Sequence, residues 1–174
     1  ILEAEGYVTI RRGSAGGAFV ANEGRLRQMS ENQFLAQVSA ALRVVEFRES
    51  AEPVAARLAA VRRTPADLKQ INAALEGLQS AQSLGEVRRS EAAFHLSVAQ
   101  ASGNRFFAAS IEDAMASMFL PFPAGDFAMQ AAESLSRCSV VLEALHNRHE
   151  EAAAEAMIHL LGLDRKRLPA RQVA

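Results

Sequence analysis

The sequence predicts an all-α protein, an antiparallel bundle of six or seven helices preceded by a short β-hairpin. Three observations lead there. Tryptophan is absent and tyrosine occurs once, while alanine is abundant, a bias that favours helix over sheet. From Ser30 onward, apolar residues recur at helical spacing between capping signals. Only the first twenty residues hold β-prone runs, Tyr7-Val8-Thr9-Ile10 and Ala18-Phe19-Val20.

The two runs flank Arg11-Arg12-Gly13-Ser14-Ala15-Gly16-Gly17, a basic glycine-rich turn, and so read as a hairpin. Ile1-Leu2-Glu3-Ala4-Glu5 followed by Gly6 reads as the tail of a helix with its terminating glycine, a helix expected to begin upstream of residue 1. Ser30-x-x-Gln33 is a capping box. The segment it opens, to about Arg63, is long enough for two helices or one bent helix, with Pro53 as kink or junction. Thr64 is an N-cap followed by Pro65 and Asp67. Leu68, Ile71, Leu75 and Leu78 form the core stripe of that helix. Ser83-x-x-Glu86 opens the next, through Phe94, His95 and Val98 to Gly103. A further helix covers Phe106 to Phe119. Pro121, Pro123 and Gly125 mark a break. A long helix then runs to about Leu145, and a last one from near Glu150 stops before Pro169. The expected domains are 1–24 and 25–174.

The bulk numbers exclude several classes. With 49% hydrophobic and 22% charged residues, the chain is too apolar for disorder. A net charge of -1 gives no global pull to nucleic acid or anionic membrane, so any such binding rests on a local patch. A single cysteine, Cys138, cannot form a disulfide within the chain and fits a reducing cytoplasm. No apolar stretch of membrane-spanning length is present, and the N-terminus lacks the pattern of a signal peptide.

Three groups of residues can carry chemistry. In the hairpin, glycine lets main-chain N–H groups approach a phosphate backbone beside Arg11, Arg12, Gly13, Ser14 and Gly16; a charge run at a turn is also commonly a plain solvated loop. Glu91 and His95, four apart on one helix, share a face. With Cys138 and His159 from the two last helices they can surround one divalent metal, His159 being expected to face the interior. Equally, Glu91 and His95 can be a surface pair and His159 a hydrogen-bonded core residue. His146 and His149 read as surface residues of a polar turn. Arg48, four residues before Glu52 on an otherwise apolar helix, either pairs with Glu52 or points into a cavity to bind a carboxylate. No Gly-x-Ser-x-Gly, P-loop, His-Glu-x-x-His or dinucleotide fingerprint occurs.

Leu2-Glu3-Ala4-Glu5-Gly6-Tyr7-Val8, Arg11-Arg12-Gly13 and Gly16-Gly17-Ala18-Phe19-Val20-Ala21 resemble the recognition-helix end and wing of GntR-family regulators. Val45-Glu46-Phe47-Arg48 with Glu52, Phe94-His95 with Ala101-Ser102-Gly103-Asn104, and Leu142-Glu143-Ala144-Leu145 with Met157 and His159-Leu160 resemble the FCD effector-binding domain of the FadR subgroup. The resemblance implies a homodimer that binds operator DNA as the intact protein, with no membrane association. It implies a pocket for a small carboxylate, faced by Arg48, and in many members a divalent metal such as zinc held by one Asp and three His. Here the Asp position is Glu91, and the second His position falls on Cys138, or on Arg137 counted back from His159. The site either persists with altered ligands or is lost, and the sequence leaves both open. The function expected is a ligand-responsive transcriptional repressor and not an enzyme. The alternatives are a metal-dependent helical-bundle enzyme, with Glu91 freed as a base, and a structural dimerisation bundle.

Overall fold

The structure, a computed structural model, describes residues 1–13, 16–118 and 126–168. Its elements are β1 (Val8–Arg11), β2 (Gly17–Val20), α1 (Glu23–Arg62), α2 (Pro65–Ser80), α3 (Leu84–Ala101), α4 (Arg105–Ser117), α5 (Phe127–His146) and α6 (Glu150–Arg167). The all-α class with an N-terminal hairpin is therefore as the sequence predicts. Ser14, Phe119, Pro121, Pro123, Gly125 and Pro169 lie outside the described residues. The chain divides into two compact units, Ile1–Ser39 and Ala40–Ala174.

In the first unit, β1 and β2 pair antiparallel, Val8 opposite Val20 and Arg11 opposite Gly17. Residues 2–6 before them form a hydrogen-bonded turn and not the expected helix, though it closes with the bonds expected at a helix end. The N–H of Gly6 bonds to the Glu3 carbonyl and that of Tyr7 to the Leu2 carbonyl, the paired bonds that close a helix at a left-handed residue. Gly6 supplies that residue at φ +81°.

Helix α1 departs from expectation at its start. It begins at Glu23, capped by Asn22, whose Oδ1 accepts from the Arg25 N–H at 2.9 Å. Ser30, expected as an N-cap, lies inside the helix. Asn22 has no Glu or Gln three residues on, so the Ser30 pattern was the stronger local signal, and the longer helix overrides it. Pro53 is neither junction nor end, for α1 continues through it. The buried series Ala41, Val45, Arg48, Glu52, Ala55, Ala59 steps by three and four on both sides of Pro53. Burying that face offsets the hydrogen bond that proline forfeits.

The other starts follow the capping chemistry. Thr64 and Asp67 form a reciprocal box at α2. Ser83 Oγ accepts from the Glu86 N–H, and Glu86 reaches back to the N–H of Gln82. Along α2 the buried positions are Leu68, Ile71, Ala74 and Leu78, with Leu75 only partly buried against the same core. That core joins α1, α2, α3, α5 and α6 through Ala56, Ile71, Phe94, Leu145 and Met157. Among the described residues no helix is long and apolar enough to cross a membrane.

The Ser102-Gly103-Asn104 turn between α3 and α4 has a structural explanation. Buried Ser102 bonds through Oγ to the Ala99 carbonyl at 2.5 Å and accepts from the Asn104 N–H at 3.2 Å. Asn104 caps α4 by accepting from Phe106. Arg62 donates to the Ser102 carbonyl at 2.9 Å, tying the end of α1 to this turn. Gly103 holds φ +66°, where a side chain is strained.

Candidate functional site

The second unit has a polar interior. Arg48 and Glu52 occupy two successive positions of the buried face of α1 and are 0% and 1% exposed. Arg48 Nε donates to Glu52 Oε1 at 2.5 Å, and Nη1 donates to Asp164 Oδ2 on α6, also at 2.5 Å. The same Nη1 lies 3.8 Å from Met118 Sδ. The other oxygen of Glu52 meets His95 Nδ1 on α3. Glu52 thus bridges a guanidinium and an imidazole, and Arg48 bridges two carboxylates.

Charge balance explains how these groups tolerate burial. Burial pushes the Glu52 carboxyl up, but the charges and hydrogen bonds of His95 and Arg48 outweigh it and hold it at about 2. Burial likewise pushes the Arg48 guanidinium down, and Glu52 and Asp164 together more than reverse it.

A second group adjoins the first through Asp164. Glu91 on α3 receives Arg88 Nη1 at 2.7 Å and Arg167 Nη1 at 2.8 Å, and Ser134 Oγ on α5. Burial raises the Glu91 carboxyl, yet Arg88, Arg167 and Ser134 hold it below its ordinary range. Arg167 Nη1 also stands 4.0 Å from Asp164 Oδ1. Three arginines (Arg48, Arg88, Arg167) thereby face three carboxylates (Glu52, Glu91, Asp164).

The four residues expected to share a metal do not converge. Glu91 and His95 are both buried on one face of α3, as their spacing requires, but Glu91 turns to arginines and His95 to Glu52. Cys138 is fully buried. Burial pushes its thiol far up, and the nearby Glu91, Asp164 and Glu52 charges add to this, the reverse of what a thiolate ligand needs. His159, expected inside, is exposed. The inward face of α6 runs through Ala153, Met157, Leu160, Leu161 and Asp164, and that period carries position 159 outward beside Ile158. Among the described residues no three His, Cys, Asp or Glu side chains are grouped so as to hold a metal ion. The residues present do not fit the metal. His146 and His149 are exposed as expected, and His149 caps α6 by accepting from the Ala152 N–H.

In the first unit, Arg11, Arg12, Gly13 and Gly16 are all exposed on the hairpin turn. The Arg11 guanidinium lies over the Phe19 ring at 5.0 Å. The Gly16 N–H bonds to the Gly13 carbonyl, and a Cβ on Gly16 would stand 2.4 Å from the Arg11 carbonyl oxygen. Only glycine fits at position 16.

Asp164, Arg167, Arg88 and Ser134 were not singled out from the sequence. A signal existed for Asp164, since Met157, Leu161 and Asp164 continue one stripe by four and three, so an acid sits where the pattern demands a core residue. Arg167 follows it by three on the same face. Nothing local marks Ser134 or Arg88 as their partners, which are set by packing between helices.

A protein-family model described as the FCD domain matches residues 43–163. No curated protein matches the sequence. Solved structures of similar fold include a GntR of Streptococcus agalactiae, at 20% identity, covering 94% of this chain and 77% of that one with a TM-score of 0.61. McbR/YncC of E. coli is 21% identical over 96% of this chain and 79% of that one, TM-score 0.63. A GntR-family transcriptional regulator of Pseudomonas syringae pv. tomato is 18% identical over 95% and 64%, TM-score 0.61. At these identities the likeness establishes the fold.

Proposed function

The chain belongs to the FCD-domain family, and from that premise we propose that it is a ligand-responsive transcriptional repressor acting in the cytoplasm. The carrying observation is the joint presence, on one chain, of the family match over 43–163 and a basic hairpin turned on glycine at 8–20. In this reading residues 1–24 are the wing end of a winged helix-turn-helix, and Arg11, Arg12, Gly13, Ser14 and Gly16 contact the phosphate backbone. Residues 25–174 bind the effector and form the homodimer.

The effector is a small carboxylate anchored on Arg48. Two features support this. Arg48 Nη2 is buried with no hydrogen-bond partner among the described residues, a costly state that an acceptor oxygen relieves. Its Nη1 is already shaped to a carboxylate, that of Asp164. An entering anion competes with Asp164 for Arg48 and so alters what joins α1 to α6. Helix α1 carries Arg48 and also supplies residues 23–39 of the first unit, which gives effector binding a covalent route to the hairpin's unit. For the homodimer, Phe47, Val54 and Val61 recur every seven residues on α1 and remain 39%, 46% and 48% exposed, an apolar stripe suited to a second copy.

The test uses protein expressed from its full reading frame. Selection from randomised duplexes is expected to enrich a two-fold symmetric site, and a panel of small carboxylates to raise Tm and release that site. Enrichment of no sequence, together with turnover of a panel member, would instead favour the enzyme.

A further inference from the structure

The last turn of α6 places a guanidinium inside a ring of oxygens. Arg167 Nη1 lies 2.8 Å from Glu91 Oε1 and 4.0 Å from Asp164 Oδ1. Its Nη2 lies 2.9 Å from Ser134 Oγ and 3.4 Å from the Gln130 carbonyl oxygen. These oxygens come from α3, α5 and α6, and the Arg167 side chain is 12% exposed. Each of these carboxylates also has an arginine on its other oxygen, Arg88 on Glu91 and Arg48 on Asp164. Arg167 stands between the two oxygens that remain, where like charges repel unless a cation intervenes. A ring of two carboxylates, a hydroxyl and a carbonyl is the environment a hard divalent cation takes in other proteins.

We propose that Arg167 is the resident cation of this cluster, a covalently tethered replacement for a divalent metal, so that the interior site is metal-independent. The chemistry around it agrees. A metal entering the ring must displace a guanidinium that the chain holds in place at high effective concentration. It would gain little elsewhere. His95 Nδ1 is engaged by Glu52, the Cys138 thiol is buried, and the His159 ring faces solvent while its carbonyl accepts from Arg137. Arg167 also does something a free ion cannot. Because it sits in the last turn of α6, its charge fastens that helix end to α3 and α5, and no chelator removes it. This inference concerns the cation alone and stands or falls apart from the regulatory reading.

The experiment is thermal unfolding with elemental analysis of the whole chain, before and after EDTA, then with added Mg²⁺, Ca²⁺ or Mn²⁺. The wild-type protein is expected to carry no stoichiometric metal and to keep its Tm within about 1 °C throughout. Arg167→Ala is expected to melt lower and to regain Tm with at least one of the three metals, which then fills the vacated ring. Arg167→Lys keeps the charge and is expected to fold and to ignore metal. About one metal per wild-type chain with a Tm that falls on chelation overturns the proposal. So does an Arg167→Ala protein that melts with the wild type, or one that no metal restores. If Arg167→Ala does not fold, Arg167→Lys decides: folded and metal-blind supports the tethered cation, and metal-responsive overturns it.

Discussion

Arg48 Nη1 on α1 stands 2.5 Å from Asp164 Oδ2 on α6, a buried ion pair between residues 116 positions apart. With Glu52 on its other side, Arg48 compensates two carboxylates at once. Removing it leaves Glu52 with His95 and Asp164 with the more distant Arg167, and broken buried pairs of this kind cost about 3–5 kcal/mol. Arg48→Ala is therefore expected to lose that much in urea unfolding. Replacing Arg48, Glu52 and Asp164 together by apolar residues of similar volume is expected to recover most of it, because the desolvation cost disappears with the charges. A loss below about 1 kcal/mol for Arg48→Ala would mean that the pair is no stronger than a surface bridge.

Acid should loosen this interior. Glu52 is held at about 2 against an ordinary 4.5, and Glu91 is also lowered. A carboxylate with a depressed folded-state pKa stabilises the fold above its unfolded value, and that contribution is lost as pH falls through the folded one. For Glu52 the window runs from about 4.5 down to about 2, and the contribution is on the order of 3 kcal/mol. Urea midpoints measured across that range should fall steeply for the wild type and less so for Glu52→Gln. Identical profiles for the two proteins would remove Glu52 from the account.

The helices were legible because their caps and stripes are local. Thr64, Ser83 and the stripe Leu68, Ile71, Leu78 each declare themselves within a few residues. Ser30 misled because its capping pattern is real but subordinate to a face of α1 that is buried far beyond it. The site was legible only in part, for a related reason. Arg48 stood out as a charge on an apolar face and Glu91 by its four-residue spacing to His95, yet their partners Asp164, Arg167 and Ser134 lie on other helices, and no spacing within one helix encodes them. His159 failed by rotation. One residue along α6 turns a side chain by about 100°, enough to exchange the inward place of Leu160 for an outward one.

The turn after α3 offers a test of backbone strain. Gly103 holds φ +66°, with the Arg62 side chain 3.5 Å from where a Cβ would stand. Space is adequate, so the cost of Gly103→Ala comes from the left-handed conformation, about 1–2 kcal/mol. Gly103→Asn, which tolerates that region better, should cost less. Denaturant midpoints in the order Gly, Asn, Ala support this, and an alanine variant as stable as the wild type would show that the turn relaxes freely.

The α1 stripe separates folding from assembly. Val54 is 46% exposed within one protomer, so a charge there leaves the fold intact to within about 0.5 kcal/mol. Glutamate also suits a helix interior well. In a homodimer built on Phe47, Val54 and Val61, the same glutamate is buried against its own copy, where two like charges desolvated together repel. Val54→Glu should therefore keep the helical circular dichroism and Tm of an isolated protomer while sedimentation equilibrium shows the mass falling from two chains to one. Glu76, exposed on α2, serves as the control, since Glu76→Lys alters a surface charge on another helix and should leave the mass unchanged. A Val54→Glu protein that still sediments as two chains would move the dimer interface to another face of the bundle.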